Sequence, residues 1–343
     1  MVNQKKEQTL QYLLQLISNN DVSLVEKTID AFGISKSTVY NYIKQLLREN
    51  LIQQDKEAPV GYRLTAQKYS FQYETAQRLE EDRVFEEAIA PLLINMPQNL
   101  RTAWRYAFTE MMNNAIEHSD SQNIACIVVI DALNTTIGIL DDGVGIFKNI
   151  QRFIFETKGE KLTLQECASI LLAGKFTTAK ENHSGEGIFF TSHLMDDFSI
   201  SSDNVMFTRD NFTDSQNSFP KQKSGTFVLM RLSNQSKKTL SEVFNRFSDC
   251  DDGFFKTHIP IAHMFPGGAP VSRSEARRLC NMISQFKEVI LDFQNVEEIG
   301  QAFAHELFVV WQKFEPNIEL QIVNSNDAVE WMIKRVKATD ARR

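Results

Sequence analysis

A carboxylate and a carboxamide four residues apart, Glu110 and Asn114 in Glu110-Met-Met-Asn-Asn114-Ala-Ile-Glu-His118, share one face of any helix that carries them. Such a face could polarise a water and hold a magnesium ion together. Two glycine-bearing segments follow, Asp141-Asp-Gly143-Val-Gly145 and Ser184-Gly185-Glu186-Gly187. Glycine lets backbone come close to a flat base or a phosphate. The combination predicts a site for ATP. Alone, Asp-x-Gly-x-Gly is a common turn and Glu-x-x-x-Asn a common solvated helix face, so the order of the three carries the prediction.

The elements around these residues can be read from periodicity. Residues 99–118 predict a long amphipathic helix with Trp104, Phe108, Met112 and Ala115 inward and the Glu/Asn pair on its polar edge. Residues 124–130 and 136–140 are apolar, β-branched runs, two strands that deliver the chain to Asp141. A helix is expected from Phe189, and strands over 205–209 and 225–232 complete a mixed sheet. Upstream, 67–90 is polar and charge-rich, with Phe71, Tyr73, Leu79 and Phe85 suggesting a connecting helix.

The set resembles the GHKL (Bergerat-fold) ATPases over residues 76–235, with the centre most similar to anti-sigma-factor serine kinases. Glu110 to His118 matches the family's N box, Asp141 to Gly145 its first glycine box, and Gly185 to Gly187 a shortened second one. Ser224-Gly225-Thr226 resembles the Gly-Thr element of a later strand. The resemblance implies that Asn114 ligates Mg²⁺ on the phosphates and that Glu110 is the general base. Asp141 would accept from the adenine amino group, with Gly143 and Gly145 letting the base pack. Gly185 and Gly187 would offer N–H groups to phosphate at a helix start, with Thr226 also at the nucleotide. Lys175, Thr177, Thr178 and Lys180 fall in the implied ATP lid. His118 could orient the site, although a histidine at a helix end more often serves as a dipole partner.

Ahead of this centre, 6–19 and 22–32 have helical spacing, and Gly33 stands where a tight turn needs positive φ. Residues 34–44 open on a Ser cap and bury Val39 and Ile43, leaving Lys36, Ser37, Tyr40, Asn41 and Lys44 outward. Residues 47–53 and 61–64 read as the strands of a wing. This segment, 1–68, resembles the winged helix-turn-helix heads of bacterial transcription regulators. The resemblance implies that the five outward residues face the major groove of double-stranded DNA and that Arg63 reaches phosphate or the minor groove. A small three-helix module can equally serve as a protein-docking unit.

Behind it, 234–252 is a polar boundary around a short helix. Strands over 254–265, 288–293 and 319–323 alternate with helices over 272–286, 300–314 and 328–336, which predicts an α/β layer with at least partly parallel strands. Residues 291–300 resemble the STAS-like domains of anti-sigma-factor antagonists, over a domain of 253–340. Their regulated members are phosphorylated on a serine where the loop enters the helix. Here that junction reads Ile299-Gly300-Gln301-Ala302, without Ser or Thr. Arg273, Arg277 and Arg278 could bind an anion or a partner.

A chain of 343 residues is long enough for two or three cores. Its formal charge of −7 argues against a chain-wide nucleic-acid surface. Residues 1–70 hold nine Lys/Arg and seven Asp/Glu, about +2, and removing that from −7 leaves about −9 elsewhere. The four cysteines are scattered and no apolar run spans a bilayer, so a cytoplasmic protein without disulfides is expected. The fold expectation is multidomain α/β (α+β): a winged helix-turn-helix, a Bergerat-type mixed sheet packed on helices, then a small STAS-like α/β domain. The expected function is a homodimeric regulator of transcription whose Mg-dependent ATPase domain switches the DNA-binding head, with a protein partner on the tail. The alternative is a partner-switching serine/threonine kinase acting on a separate protein.

Overall fold

The first apolar period in the chain closes a small helical core. A computed structural model describes residues 2–77, 79–175, 185–208, 224–249, 253–265 and 269–340. Helices α1 (Val2–Ser18), α2 (Leu24–Phe32) and α3 (Lys36–Arg48) bury Leu13, Ile17, Leu24, Val39, Ile43 and Leu46 against one another. Gly33 takes φ 60° and closes α2 with its N–H on the Ile29 carbonyl at 2.7 Å. Ser35 caps α3, its hydroxyl accepting the Thr38 N–H at 3.2 Å. Two short strands, β1 (Ile52–Gln54) and β2 (Tyr62–Leu64), then pair antiparallel.

The wing strand anticipated over 47–53 forms only at Ile52–Gln54, because Leu46 completes the helical period begun at Val39 and Ile43. The helix runs to Arg48, and Asn50, at φ 54°, ends it in a left-handed turn. Leu51 N–H returns to the Leu46 carbonyl at 3.0 Å and Asn50 N–H to that of Leu47 at 3.1 Å, a Schellman closure.

The segment expected to form a connecting helix from residue 67 begins as strand β3 (Gln67–Glu74). Its Tyr69, Phe71 and Tyr73 recur every second residue and are the half-buried positions, the period of a strand. Among the described residues of this segment helix begins only after that strand, with a 3-10 turn at Thr75–Gln77, then α4 (Glu81–Val84), the π-helical turn Phe85–Ile89 that continues it and a 3-10 turn at Ala90–Leu93.

Helix α5 (Gln98–His118) precedes β4 (Asn123–Ile130) and β5 (Asn134–Asp141). Then come α6 (Ile146–Lys158), α7 (Leu164–Ala173), α8 (Gly187–Leu194), β6 (Asp197–Ser202), β7 (Val205–Thr208) and β8 (Thr226–Ser233). The resulting six-stranded sheet has the order β3-β4-β5-β8-β6-β7. Asp203 and Asn204, at φ 53° and 61°, join β6 to β7 in the two-residue turn that suits strand twist. Contacts divide the chain into two units. Met1–Phe71, Ala125–Gly138 and Met230–Lys237 form one, and Gln72–Ile124, Ile139–Leu229 and Lys238–Arg343 the other.

After α9 (Leu240–Phe247) and the short pair β9 (Ser248–Asp249) and β10 (Gly253–Phe254), strand β11 is limited to Lys256–Pro260. The anticipated strand over 254–265 therefore ends early. Pro260 lacks an N–H to extend the ladder, and α10 (Ile261–Met264) begins directly after it. Helix α11 (Arg273–Ile283), β12 (Glu288–Asp292), α12 (Gln301–His305) with its π-helical continuation Glu306–Trp311, α13 (Gln312–Phe314), β13 (Glu319–Val323) and α14 (Asp327–Asp340) complete the chain. The sheet β11-β12-β13 is parallel throughout, with Thr257 beside Val289 and Val289 beside Leu320. Among the described residues no helix is long and apolar enough to cross a membrane. Cys126 on β4, Cys167 on α7 and Cys280 on α11 are buried free thiols. Burial pushes their thiol pKa values up to about 12, 11 and 12 respectively.

Candidate functional site

Helix α5 buries Trp104, Ala107, Phe108, Met111, Met112 and Ala115, which turns Thr109, Glu110, Asn113 and Asn114 toward a cleft of about 320 Å³. That size lies at the lower end of small-molecule sites. The end of β5 brings Asp141, the start of β8 brings Thr226, and the entry to α8 brings Gly185 and Gly187 to the same cleft. Six of the positions picked from sequence, Glu110, Asn114, Asp141, Gly185, Gly187 and Thr226, therefore line one cavity with His118. Apolar side chains from the sheet, Ile139, Ile200 and Val228, form another part of its wall.

Asp141 is 4% exposed, and burial pushes its carboxyl up to about 6. Hydrogen bonds from Gly143 and Thr226 pull it part of the way back, their N–H groups reaching Oδ1 at 3.0 and 3.1 Å. Thr226 Oγ1 in turn accepts the N–H of Ile146 at 3.1 Å, which ties the start of β8 to the start of α6. The adjacent Asp142 behaves oppositely. Its Oδ2 accepts from the Asn123 carboxamide at 2.8 Å and its Oδ1 from the Asn123 and Gln122 N–H groups at 3.0 and 2.9 Å. These bonds, the Asn123 side chain first, hold it below the ordinary carboxylate range. Of two neighbouring aspartates, one fixes a turn and the other faces the cleft.

Close approach requires glycine at Gly143 and Gly187, among others. A Cβ on Gly143 would collide with the Ser119 carbonyl, which the chain needs as acceptor for the Val144 N–H at 2.8 Å. A Cβ on Gly187 would run into the carboxylate of Glu110, so the first turn of α8 presses against the helix that carries the carboxylate. Gly145 precedes α6, and Gly185 lies two residues before α8. Burial, then the charges of Glu110 and Glu186, push the Tyr106 hydroxyl upward.

The structure does not bring Lys175 to the cleft. Its ammonium lies over the rings of Phe254 and Phe286, 5.4 and 4.9 Å from their centroids, and 3.5 Å from the Gln285 carbonyl. Burial holds it below its ordinary value, with Glu186 opposing. Thr177, Thr178 and Lys180 lie outside the described residues. Sequence reasoning missed Asn149, whose carboxamide donates to the His118 carbonyl at 3.0 Å and which also lines the cleft. Its helix α6 was legible in Phe147, Ile150 and Ile154, three buried residues at helical spacing.

On the head, Lys36, Ser37, Tyr40, Asn41 and Lys44 are all exposed on α3. Arg63, on β2, is exposed and 3.5 Å from the Asp55 carboxylate. In the tail, Arg277 pairs with Glu306 at 2.7 Å and Arg278 with Glu166, so two of the three arginines already hold carboxylates. Gly300 begins α12, and its N–H meets the Pro270 carbonyl at 2.9 Å. No curated protein matches the chain. Residues 275–330, from α11 into α14, match the family described as STAS-like domain of unknown function (DUF4325), so the C-terminal segment is STAS-like.

Proposed function

We propose that the cleft binds Mg·ATP in a domain of the Bergerat type, and that this domain switches a DNA-binding winged helix-turn-helix head. The observation that carries the reading is the convergence of Glu110, Asn114, Asp141, Gly185, Gly187 and Thr226, from four separate stretches of sequence, on one cavity. The Asp141 carboxylate, held at Oδ1 by both backbone donors, is the acceptor an adenine amino group would meet. Ile139, Ile200 and Val228 suit the flat apolar face of the base.

Magnesium keeps most of its waters and takes phosphate oxygens, so it needs only one or two oxygen ligands from protein. Asn114, with Glu110 near it, meets that need. When bound, the ion would neutralise phosphate charge. Glu110 would orient and deprotonate the attacking hydroxyl, whether of water or of an acceptor side chain.

Titration with a fluorescent ATP analogue tests the site. Asn114→Ala is expected to weaken Mg-dependent binding by about 100-fold, and unchanged affinity would overturn the assignment. The fate of a γ-phosphate label then separates two activities. Free phosphate supports the ATPase switch, whereas transfer to a separate protein supports the serine/threonine kinase. Glu110→Gln should retain binding and slow either by about 10²–10⁴-fold.

The head reading rests on the exposed face of α3 with the β1–β2 pair beside it in sequence. Lys44→Ala and Arg63→Ala should each lower the salt slope of binding to double-stranded DNA by about one. Slopes identical to that of the parent chain would favour a docking role for the head. The STAS-like tail is proposed as the surface for a protein partner. Without Ser or Thr over 299–302, phosphate transfer to that junction is not expected.

A further inference from the structure

Strand β3 ends the six-stranded sheet and offers a self-complementary edge. Its sequence, Gln-Lys-Tyr-Ser-Phe-Gln-Tyr-Glu, is eight residues long and contains no Pro or Gly. The opposite end strand, β7, has four. Edge strands in native proteins are commonly blunted by proline, bulges or unmatched charge. In β3, Gln67, Lys68, Ser70, Gln72 and Glu74 are exposed, while Tyr69, Phe71 and Tyr73 form the half-buried face.

We propose that β3 pairs antiparallel with β3 of a second copy of this chain, about a two-fold axis at Phe71. In that register Lys68 stands opposite Glu74 of the other copy, and Glu74 opposite its Lys68. Ser70 meets Gln72, Tyr69 meets Tyr73, and Phe71 meets Phe71. Every pair keeps polar against polar and aromatic against aromatic on its own face, as directly opposed residues in an antiparallel ladder must. Competing registers lose this match. A two-residue shift one way places Lys68 against Gln72 and Glu74 against Ala66. The other way, Glu74 falls against Ser70. A one-residue slip sets aromatic residues against polar ones and exchanges the faces. The symmetry of the contact makes it closed, so it stops at two copies instead of growing into a filament.

The surface is independent of the nucleotide reading and is tested on the full chain without nucleotide, by sedimentation velocity across a concentration series. The unaltered chain should dimerise in the micromolar range. Lys68→Glu and Glu74→Lys each place like charges opposite one another twice per dimer, and each should weaken association by about tenfold or more. The double charge exchange, K68E with E74K, should restore affinity to within about threefold of the parent. A parent chain that stays monomeric at about 100 μM overturns the proposal. So does a pair of single variants with unchanged association, or a double variant no tighter than either single one.

Discussion

Replacing Asp141 with Asn should raise the stability of the nucleotide-free protein at pH 8 while removing its response to ATP. Burial pushes the folded carboxyl up to about 6 from an ordinary 3.8, so folding favours its protonated form. A group raised in this way stabilises the fold fully below the unfolded value and loses that contribution as pH climbs through the folded one. Above pH 6 the buried carboxylate therefore opposes folding by about 3 kcal/mol at most. Asn cannot ionise, yet it keeps an oxygen for the N–H groups of Gly143 and Thr226. Urea melts should show a gain of about 1–3 kcal/mol at pH 8 that shrinks toward zero at pH 4. An equal gain at both values would sink the electrostatic account. Loss of ATP-induced stabilisation in the same variant would identify Asp141 as a group kept for binding at the expense of folding.

A second large effect is expected at Phe189, the third residue of α8 and 2% exposed. Its ring lies 4.6 Å from that of Phe254, 5.0 Å from Phe247 and 4.1 Å from His193. Gly174 stands so close that a Cβ there would come within 3.0 Å of the ring. Phe189→Ala removes the centre of this cluster and should lower stability by about 3–5 kcal/mol. Phe189→Leu, which keeps most of the volume, should lose under about 1.5 kcal/mol. Because Gly187 opens the same helix against Glu110, the alanine variant should also bind ATP more weakly than its folded fraction accounts for. Thermal melts and titration of the two variants check this, and a loss below about 1 kcal/mol in Phe189→Ala would remove the ring from its supporting role.

What could be read before folding depended on whether the signal was local. Helix α5 was legible because Trp104, Phe108, Met112 and Ala115 all fall on one stripe. β12 was legible as a short apolar run between polar ends. Strand β3 misled because its apolar residues are aromatic and only half buried, a weak contrast that Leu79 and Phe85 downstream extended into an apparent helix. Lys175 shows the other limit. Its closeness in sequence to the glycine pair suggested phosphate, but its seat is made by Phe254 and Phe286, about 80 and 110 positions away. Asp141 and Thr226 meet across a comparable interval, through a backbone hydrogen bond that composition does not encode.

The three buried thiols turn the protein into its own stopwatch. A thiolate reacts and a thiol hardly does, so Cys126, Cys167 and Cys280 are silent toward alkylating reagents while their elements stay closed. Each sits on a different element, β4, α7 and α11. The modification rates at these three positions, read by mass spectrometry in one sample, would time the separate openings of a sheet strand, a helix near the cleft and the first helix of the STAS-like segment. Nucleotide should lengthen the intervals of the elements it braces and leave the others running as before.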